Sequence, residues 1–226
     1  MKLQAVILDI DGTLVLSNDA HAQAWAEAFA AYGYEVPFEK VRPLIGMGGD
    51  QVIPKMVSGL SDEEGDGKKI AQRRKELIVN RFAPELSPAP GSRELLLKMQ
   101  QQGLRLIIAT SATAEELSPL LKAAQVDDLL DEAATSSDAE ASKPEPDIVE
   151  AALSKLKLEA SQTVMLADTP YDIEAAGKCG VPVIAFRCGG FDDASLANAA
   201  EIYDHPADLL AHYDDSILGK KELVGR

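Results

Sequence analysis

The sequence has few cysteines, few aromatic residues and little positive charge. Of its 226 residues, two are cysteines and 5% are aromatic, while 22 Lys and Arg face 37 Asp and Glu, which gives a formal net charge of -15. Cys179 and Cys188 fit no zinc-binding spacing and are too few for a disulfide scaffold, so we expect reduced thiols. A surface this acidic repels nucleic acid and anionic membranes. We therefore expect a small-molecule partner, and neither nucleic acid nor a membrane.

Long apolar runs are also absent. No stretch approaches the roughly 20 apolar residues of a membrane span, and the first apolar run, Ala5–Leu8, stops at Asp9, where a signal peptide would continue. We therefore expect a cytoplasmic protein. With 46% hydrophobic residues, the chain can bury a core as one domain or as a domain with an insertion. The composition leaves the choice between a monomer and a homodimer open.

Apolar runs of strand length recur along the chain. Four of them are continuous rather than alternating, as strands buried on both faces should be. They are Ala5–Leu8, 104–109, Thr163–Ala167 and 181–186, and 132–135 is a weaker fifth candidate. Helical patterns lie between them, at 92–102 and 148–156, and Thr113 with Glu116 predicts a capping box at the start of another helix. This alternation predicts an α/β fold with a Rossmann-like parallel sheet flanked by helices.

One segment breaks the alternation, because residues 17–87 contain helical patterns but no predicted strand. One helix is expected from Asn18 or Asp19 to Gly33 and a second over 68–82, with a flexible glycine loop at 46–49 between them. A stiff hinge with three prolines returns the chain to the core, and a final helix is expected in the tail. We therefore expect two domains, an α/β core over 1–16 and 88–226 and an inserted α-helical cap over 17–87.

Polar side chains follow the predicted strands at the points where the strands end. Asp9 and Asp11 follow the first strand, Thr110 and Ser111 the second, and Asp168 a later one, while Lys143 precedes a helix. Because ligands bind at the carboxyl ends of parallel strands, we expect these groups to converge in one cleft. Each has a simpler alternative: a polar turn for the aspartates, a helix cap for Thr110 and a solvated surface position for Lys143.

In this order, these residues resemble the four motifs of the haloacid dehalogenase superfamily. The motifs are Asp9-Ile10-Asp11-Gly12-Thr13, Thr110, Lys143 and the block that begins at Asp168. The resemblance covers residues 2–186 and is greatest to the phosphatase branch with a helical cap, which includes phosphoglycolate phosphatases and β-phosphoglucomutases. Ala167 and Leu16 depart from the pattern, since the superfamily often has Gly, Glu or Asp at the first position and Asp at the second.

The resemblance implies a Mg²⁺-dependent phosphatase acting on a small phosphorylated metabolite. Asp9 would attack phosphorus and form an aspartyl-phosphate, and Mg²⁺ would be held by Asp9, Asp168 and the backbone carbonyl of Asp11. Asp11 would act as general acid and base, which requires a raised pKa in the substrate complex. Thr110 and Lys143 would stabilise the transferring phosphoryl group.

The resemblance also implies roles outside these groups, each with an alternative that the sequence leaves open. Ser111 would bind substrate beside Thr110. Asp172 would orient Lys143 or metal-bound water, or would only interact with a helix N-terminus. His21 would face the site from the cap or be an ordinary buried histidine, and Arg42 would reach a substrate anion or be solvated. The basic cluster 73–75 would lend one cation to the cleft or form a solvated helix face.

Two other functions remain open at this point. A β-phosphoglucomutase-like enzyme would use the same residues but return the phosphoryl group to sugar instead of water. A non-catalytic binding module would keep the fold without turnover. The presence of all four motifs argues against the second alternative.

Overall fold

A computed structural model describes residues 2–220 of the chain, so Met1 and the last six residues of the predicted core domain lie outside it. The sheet has six strands, all parallel, in the order β3-β2-β1-β4-β5-β6. The strands are β1 (Ala5–Leu8), β2 (Arg105–Ala109), β3 (Ala133–Ala134), β4 (Thr163–Ala167), β5 (Val183–Phe186) and β6 (Glu201–Tyr203). The predicted α/β class is confirmed, and the sheet has one strand more than the five predicted.

Ten α-helices lie among the described residues. They are α1 (Asn18–Ala31), α2 (Phe38–Val41), α3 (Gly49–Met56), α4 (Gly65–Leu77), α5 (Ser92–Gln101), α6 (Ala114–Ala123), α7 (Asp147–Leu156), α8 (Pro170–Lys178), α9 (Pro206–Ala211) and α10 (Ile217–Lys220). None of these helices is long and apolar enough to cross a membrane.

The central strand β1 shows why its sequence is continuously apolar. Successive side chains of a strand point to opposite faces of the sheet. Val6 and Leu8 join the core on one face, and Ala5 and Ile7 join the core on the other face. Helices cover both faces, so no position of β1 meets solvent. In register, Ile7 pairs with Ile107 of β2 and with Met165 of β4.

The segment between β1 and β2 forms a small core of its own. Trp25 and Phe29 of α1 pack there with Ile53 of α3 and Ile70 of α4, and all buried members of this cluster lie between residues 22 and 70. The two chain crossings run side by side, since Leu16 N–H donates to the Ser87 carbonyl at 3.0 Å. The predicted domain boundaries at residues 17 and 87 stay a prediction.

Several details of the helical segment differ from the prediction. The second helix begins at Gly65 rather than 68, and it changes at Ile78 into a π-helical turn that ends at Phe82. The glycine loop expected over 46–49 is shorter, because Gly49 already begins α3. The capping box of Thr113 and Glu116 is confirmed at the start of α6. Both cysteines are free.

Candidate active site

Three neighbouring strands end in polar residues at one edge of the sheet. Asp9 follows β1, Thr110 follows β2 and Asp168 follows β4, and each is at most 5% exposed. The backbone hydrogen bonds between strands continue to this edge. Asp9 N–H donates to the Leu166 carbonyl at 2.9 Å, and Thr110 N–H donates to the Ala134 carbonyl at 3.1 Å. The backbone therefore fixes where these side chains leave the sheet.

Lys143 reaches this edge from the chain that leads into α7. Its side chain is 1% exposed, and its Nζ lies 2.6 Å from Asp9 Oδ1 and 2.5 Å from Asp172 Oδ1. It also donates to the Ala109 carbonyl at 3.1 Å. Burial opposes protonation, but the charges and hydrogen bonds of Asp172 and Asp9 outweigh it and raise the pKa of Lys143. The structure thus places Lys143 between two carboxylates and away from the surface.

Asp168 is held by two donors that come from the first loop and the first helix. Thr13 Oγ1 donates to its Oδ1 at 3.0 Å, and Asn18 Nδ2 donates to its Oδ2 at 2.7 Å. Two glycines pack so closely on this carboxylate that a Cβ at Gly12 would lie 2.2 Å, and one at Gly189 1.8 Å, from Oδ2. The Asp168 carboxylate is therefore held by two donors and closely packed by two glycines.

Three carboxylates crowd this edge around one ammonium group. Oxygen atoms of Asp9, Asp168 and Asp172 all lie within 4.8 Å of one another, and all three residues are buried. Burial, opposed by Lys143 and aided by the neighbouring carboxylates, raises the pKa of Asp9 to about 8. Burial and the charges of Asp9 and Asp172 raise the pKa of Asp168 well above its usual range.

This donor set suits a hard divalent cation. When ionised, the three carboxylates exceed the single Lys143 charge by two negative charges, and unpaired buried charge is costly. Mg²⁺ prefers a few carboxylate oxygens completed by phosphate and water. Asp172 was expected to orient Lys143 or metal-bound water, or only to interact with a helix N-terminus, and it lies in the first turn of α8, which Thr169 caps. Its carboxylate contacts Lys143, and its N–H donates to Thr169 Oγ1 at 3.2 Å at the start of α8.

Asp11 lies slightly apart from this cluster and has its own partners. Ser17 Oγ donates to its Oδ1 at 2.5 Å, and His21 Nε2 lies 2.7 Å from the same oxygen. Burial would raise the pKa of Asp11, but the interactions with His21 and Ser17 and the charge of Arg74 lower it to about 2. Asp11 is therefore a carboxylate in this structure, and the raised pKa expected for it concerns the substrate complex.

His21 is buried in α1 and contacts both Asp11 and Arg74, which belongs to a second ion pair. Its Nδ1 lies 2.6 Å from Arg74 Nη2, and Arg74 Nη1 forms an ion pair with Glu116 at the start of α6. The Arg74 guanidinium also covers the ring of Trp25 at 5.3 Å. Of the cluster 73–75, Arg74 is the member that lines the small cavity beside Asp9 and Asp11.

The remaining predicted substrate residues divide into two groups. Thr110 Oγ1 accepts from Ala112 N–H at 3.1 Å, and Ser111 Oγ donates to the Gly46 carbonyl at 3.3 Å, so both line the cleft. Thr113, and not Thr110, caps α6.

Arg42 points elsewhere, to Asp19 Oδ1 and the Gly189 carbonyl, each at 2.6 Å. Its role in binding a substrate anion stays a prediction.

Two adjoining spaces lie beside the carboxylate cluster. A cavity of about 40 Å³ is lined by Asp9, Asp11, His21 and Thr110. A larger cleft of about 690 Å³ shares Trp25, Arg74 and Thr110 with that cavity and runs between α4 and the sheet edge. Gly48 N–H donates to Ser142 Oγ at 2.9 Å beside the cleft, which ties the helical segment to the core.

Sequence reasoning missed three contributors to this site. Thr13 and Asn18 bind Asp168 from about 150 residues away in the chain, and Glu116 binds Arg74 from 42 residues away. Thr13 stands inside the first motif, which was a usable signal. Asn18 and Glu116 stand at helix starts, where such residues are common as caps, so their sequence context gave no further signal.

Comparison with known proteins agrees with this geometry. The family model "Haloacid dehalogenase-like hydrolase" matches residues 6–186. The chloroplast protein SUPPRESSOR OF QUENCHING 1 of Arabidopsis thaliana is 30% identical over 82% of this chain, which spans only 18% of that protein. A phosphoglycolate phosphatase of Rhodospirillum rubrum is 27% identical over 91% of this chain and 89% of its own length.

Structural comparison agrees with this match. The crystal structure of a hydrolase from Pseudomonas syringae superposes with a TM-score of 0.86 and 27% identity, covering 94% of this chain and 98% of that chain. The predicted superfamily is thus confirmed by the family match and by relatives of similar length. The chain belongs to the haloacid dehalogenase-like hydrolase family and is an enzyme of its phosphatase group.

Proposed function

We propose that this enzyme is a Mg²⁺-dependent phosphatase that hydrolyses a small phosphorylated metabolite through an aspartyl-phosphate on Asp9. The observation that carries the proposal is the cluster at the sheet edge, where buried oxygens of Asp9, Asp168 and Asp172 lie within 4.8 Å beside Lys143. A carboxylate attacking a phosphate brings two negative charges together. Lys143 and a divalent cation held by these carboxylates would offset that repulsion.

Three groups of the chain are proposed to hold Mg²⁺. They are the carboxylates of Asp9 and Asp168 and the backbone carbonyl of Asp11. When bound there, the ion would neutralise charge on the phosphate oxygens and lower the electrostatic cost of nucleophilic attack. Thr13 and Asn18 would keep Asp168 turned toward the ion, since they hold both of its oxygens in the structure.

Asp9 is proposed to be the nucleophile. It attacks phosphorus, the bond from phosphorus to the ester oxygen breaks, and the aspartyl-phosphate splits one difficult hydrolysis into two displacements. The attack requires the ionised form of Asp9. Burial raises the pKa of Asp9 to about 8, so this ionised form depends on nearby positive charge. Lys143, at 2.6 Å, supplies part of that charge and fixes one carboxylate oxygen.

Asp11 is proposed to transfer the protons. Its carboxyl group protonates the departing alkoxide, and the resulting carboxylate then removes a proton from the water that attacks the aspartyl-phosphate. The second step returns Asp9 and a protonated Asp11 and releases inorganic phosphate. The negative charge of a bound phosphate would raise the pKa of Asp11 from the low value that His21 and Ser17 give it.

Thr110, Ser111 and Lys143 are proposed to stabilise the transferring phosphoryl group. Thr110 and Ser111 line the small cavity next to Asp9. Hydrogen-bond donors fixed where charge develops stabilise a phosphoryl transition state more than the ground state. The adjoining cleft of about 690 Å³ has room for a metabolite, and the relative from Rhodospirillum rubrum is named a phosphoglycolate phosphatase.

A panel of phosphorylated metabolites tests the proposal. Phosphoglycolate, sugar phosphates and nucleotides would be incubated with the protein in Mg²⁺ or in EDTA, and inorganic phosphate would be measured. Asp9→Asn serves as the inactive control. We expect phosphate release that needs Mg²⁺ and is lost in the control. Conversion of a sugar phosphate to its isomer without phosphate release would instead establish the mutase alternative, and binding without turnover would establish the non-catalytic one.

A further inference from the structure

Glu116 is a buried carboxylate to which the proposed chemistry gives no role. It is 1% exposed and lies in the first turn of α6, directly after the loop that carries Thr110 and Ser111. Its Oε2 accepts from Thr113 N–H at 3.0 Å and from Thr113 Oγ1 at 2.9 Å. Capping of a helix needs only a hydrogen-bond acceptor, which glutamine also provides. The charge of Glu116 and its burial therefore need another explanation.

The second oxygen of Glu116 supplies that explanation. Oε1 accepts from Arg74 Nη1, so one carboxylate joins α6 of the core to α4 of the helical segment. Arg74 also contacts His21, since its Nη2 lies 2.6 Å from His21 Nδ1. His21 Nε2 in turn lies 2.7 Å from Asp11 Oδ1. The contacts form a four-residue chain from the start of α6 to the proposed proton-transfer group.

The chemistry of arginine fixes the hydrogen atoms along this chain. A guanidinium group donates hydrogen bonds and cannot accept them. His21 Nδ1 therefore accepts from Arg74, and the ring proton lies on Nε2, which donates to Asp11. The Glu116 carboxylate holds Arg74 in the orientation that this arrangement needs.

The two ends of the chain belong to the core, and its two middle members belong to the helical segment. Asp11 lies in the loop after β1 and Glu116 lies in α6, whereas His21 is in α1 and Arg74 is in α4. All three contacts can exist together only while α4 lies against α6. The same carboxylate also holds Thr113, which ends the loop of Thr110 and Ser111.

We propose that Glu116 is a positioning residue that, through Arg74 and His21, orients Asp11 for proton transfer when the helical segment lies against the core. This inference rests on the proposed function for its effect on turnover, but the contacts themselves do not. The neighbouring pair Lys75–Glu115 joins the same two helices at 2.7 Å without touching His21, and Glu115 is 73% exposed. Glu115→Gln is therefore a matched control.

The test compares Glu116→Gln with Glu115→Gln in the full-length protein. Glutamine keeps the shape and an acceptor for Thr113 but removes the negative charge that faces Arg74. With an aryl phosphate and saturating Mg²⁺, we expect kcat to fall about tenfold or more in Glu116→Gln while KM changes little, since proton transfer contributes factors of this size and above. Glu115→Gln should keep both constants. A role in capping alone would lower the melting temperature and leave kcat per folded enzyme unchanged.

A second readout does not require turnover. Trp25 is the single tryptophan of the sequence, and its ring lies 5.3 Å beneath the Arg74 guanidinium. Its emission therefore reports on Arg74. We expect a shifted or changed emission in Glu116→Gln and an unchanged one in Glu115→Gln.

The outcomes separate this inference from the proposed function. Unchanged kcat in Glu116→Gln, or an equal loss in Glu115→Gln, overturns the positioning role. If the wild-type protein releases no phosphate from any substrate, the proposed function fails instead. The emission of Trp25 then decides alone: a change confined to Glu116→Gln supports the chain of contacts, and no change overturns it.

Discussion

Replacement of Lys143 by methionine should destabilise the protein more than any single surface substitution. Methionine keeps most of the buried apolar stem and removes the ammonium group, so the change creates little cavity. It leaves Asp9 and Asp172, which lie 2.6 and 2.5 Å from Nζ, without their counter-charge. Breaking a buried ion pair by removing one partner costs about 3–5 kcal/mol, because the other charge remains buried and unpaired. We expect a loss in this range in metal-free protein.

The control is the same substitution at a surface lysine. Lys155 forms an ion pair with Asp138 at 2.8 Å, and its side chain is 40% exposed. Exposed ion pairs contribute about 0–1 kcal/mol, so Lys155→Met should change stability by no more than that. Adding Asp172→Asn to Lys143→Met removes one of the two orphaned charges. The double variant should therefore recover part of the loss.

The assay is equilibrium unfolding in urea with EDTA present, followed by circular dichroism. The loss in Lys143→Met should be larger at high pH, where the orphaned carboxylates cannot be neutralised by protons. Turnover per folded molecule should also fall at least about 100-fold, because charge stabilisation of the transferring group is removed. A loss of stability under about 1 kcal/mol, or one equal to that of Lys155→Met, would refute this account of Lys143.

Three further predictions concern the carboxylate cluster. The pKa of Asp9 rises from 3.8 to about 8 on folding, and that of Asp168 also rises, so the folded state binds more protons than the unfolded state between these values. Metal-free protein should therefore lose stability as pH rises from about 5 to about 8, and Mg²⁺ should raise the melting temperature more at the higher pH. Thermal scans in EDTA that show stability rising over this range would contradict the prediction. Thr13→Val removes a donor at 3.0 Å from Asp168, and the Mg²⁺ concentration for half-maximal turnover should rise about 10- to 100-fold, whereas an unchanged value would show that Thr13 does not orient the ligand. Gly189→Ala would place a Cβ 1.8 Å from Asp168 Oδ2 and should weaken Mg²⁺ binding in calorimetric titration. Gly177→Ala should leave binding unchanged, because beyond its own helix backbone and chain neighbours no atom lies within 4 Å of the new Cβ.

The central strands could be predicted closely because burial on both faces leaves a continuous apolar run. Ala5–Leu8 and Thr163–Ala167 agree with the structure residue for residue. The sixth strand, Glu201–Tyr203, was missed because its three residues lie at the edge of the sheet, are only half-buried and include a charge. An edge strand needs no apolar run, and so the tail was expected to add only a helix.

The helical segment was predicted less well for a physical reason. Helix α3 begins at Gly49, follows another glycine and contains Pro54, and both residue types normally indicate a loop. Tertiary packing overrides this local preference, since Val52 and Ile53 are fully buried against α1 and α4. Packing partners distant in sequence cannot be read from local propensity.

The candidate site was also predicted only in part, because some of its residues are placed by strand ends and others by helix packing. The positions of Asp9, Thr110 and Asp168 follow from their place after parallel strands, which the sequence reveals. Their partners depend on how α1, α4 and α6 pack together, and the link from Arg74 to Glu116 exists only in the folded chain. Arg42 contacts Asp19 and the Gly189 carbonyl in the structure, and its role toward a substrate anion stays a prediction.

The central claim is that Asp9 carries the phosphoryl group during turnover. The most direct test mixes the enzyme with Mg²⁺ and a substrate that it hydrolyses, quenches with acid within the first turnover and analyses the peptides by mass spectrometry. The account predicts one added phosphoryl group on the peptide that contains Asp9, and none in Asp9→Asn. Phosphate release at the normal rate without a phosphorylated Asp9 peptide, together with activity in Asp9→Asn, would contradict it.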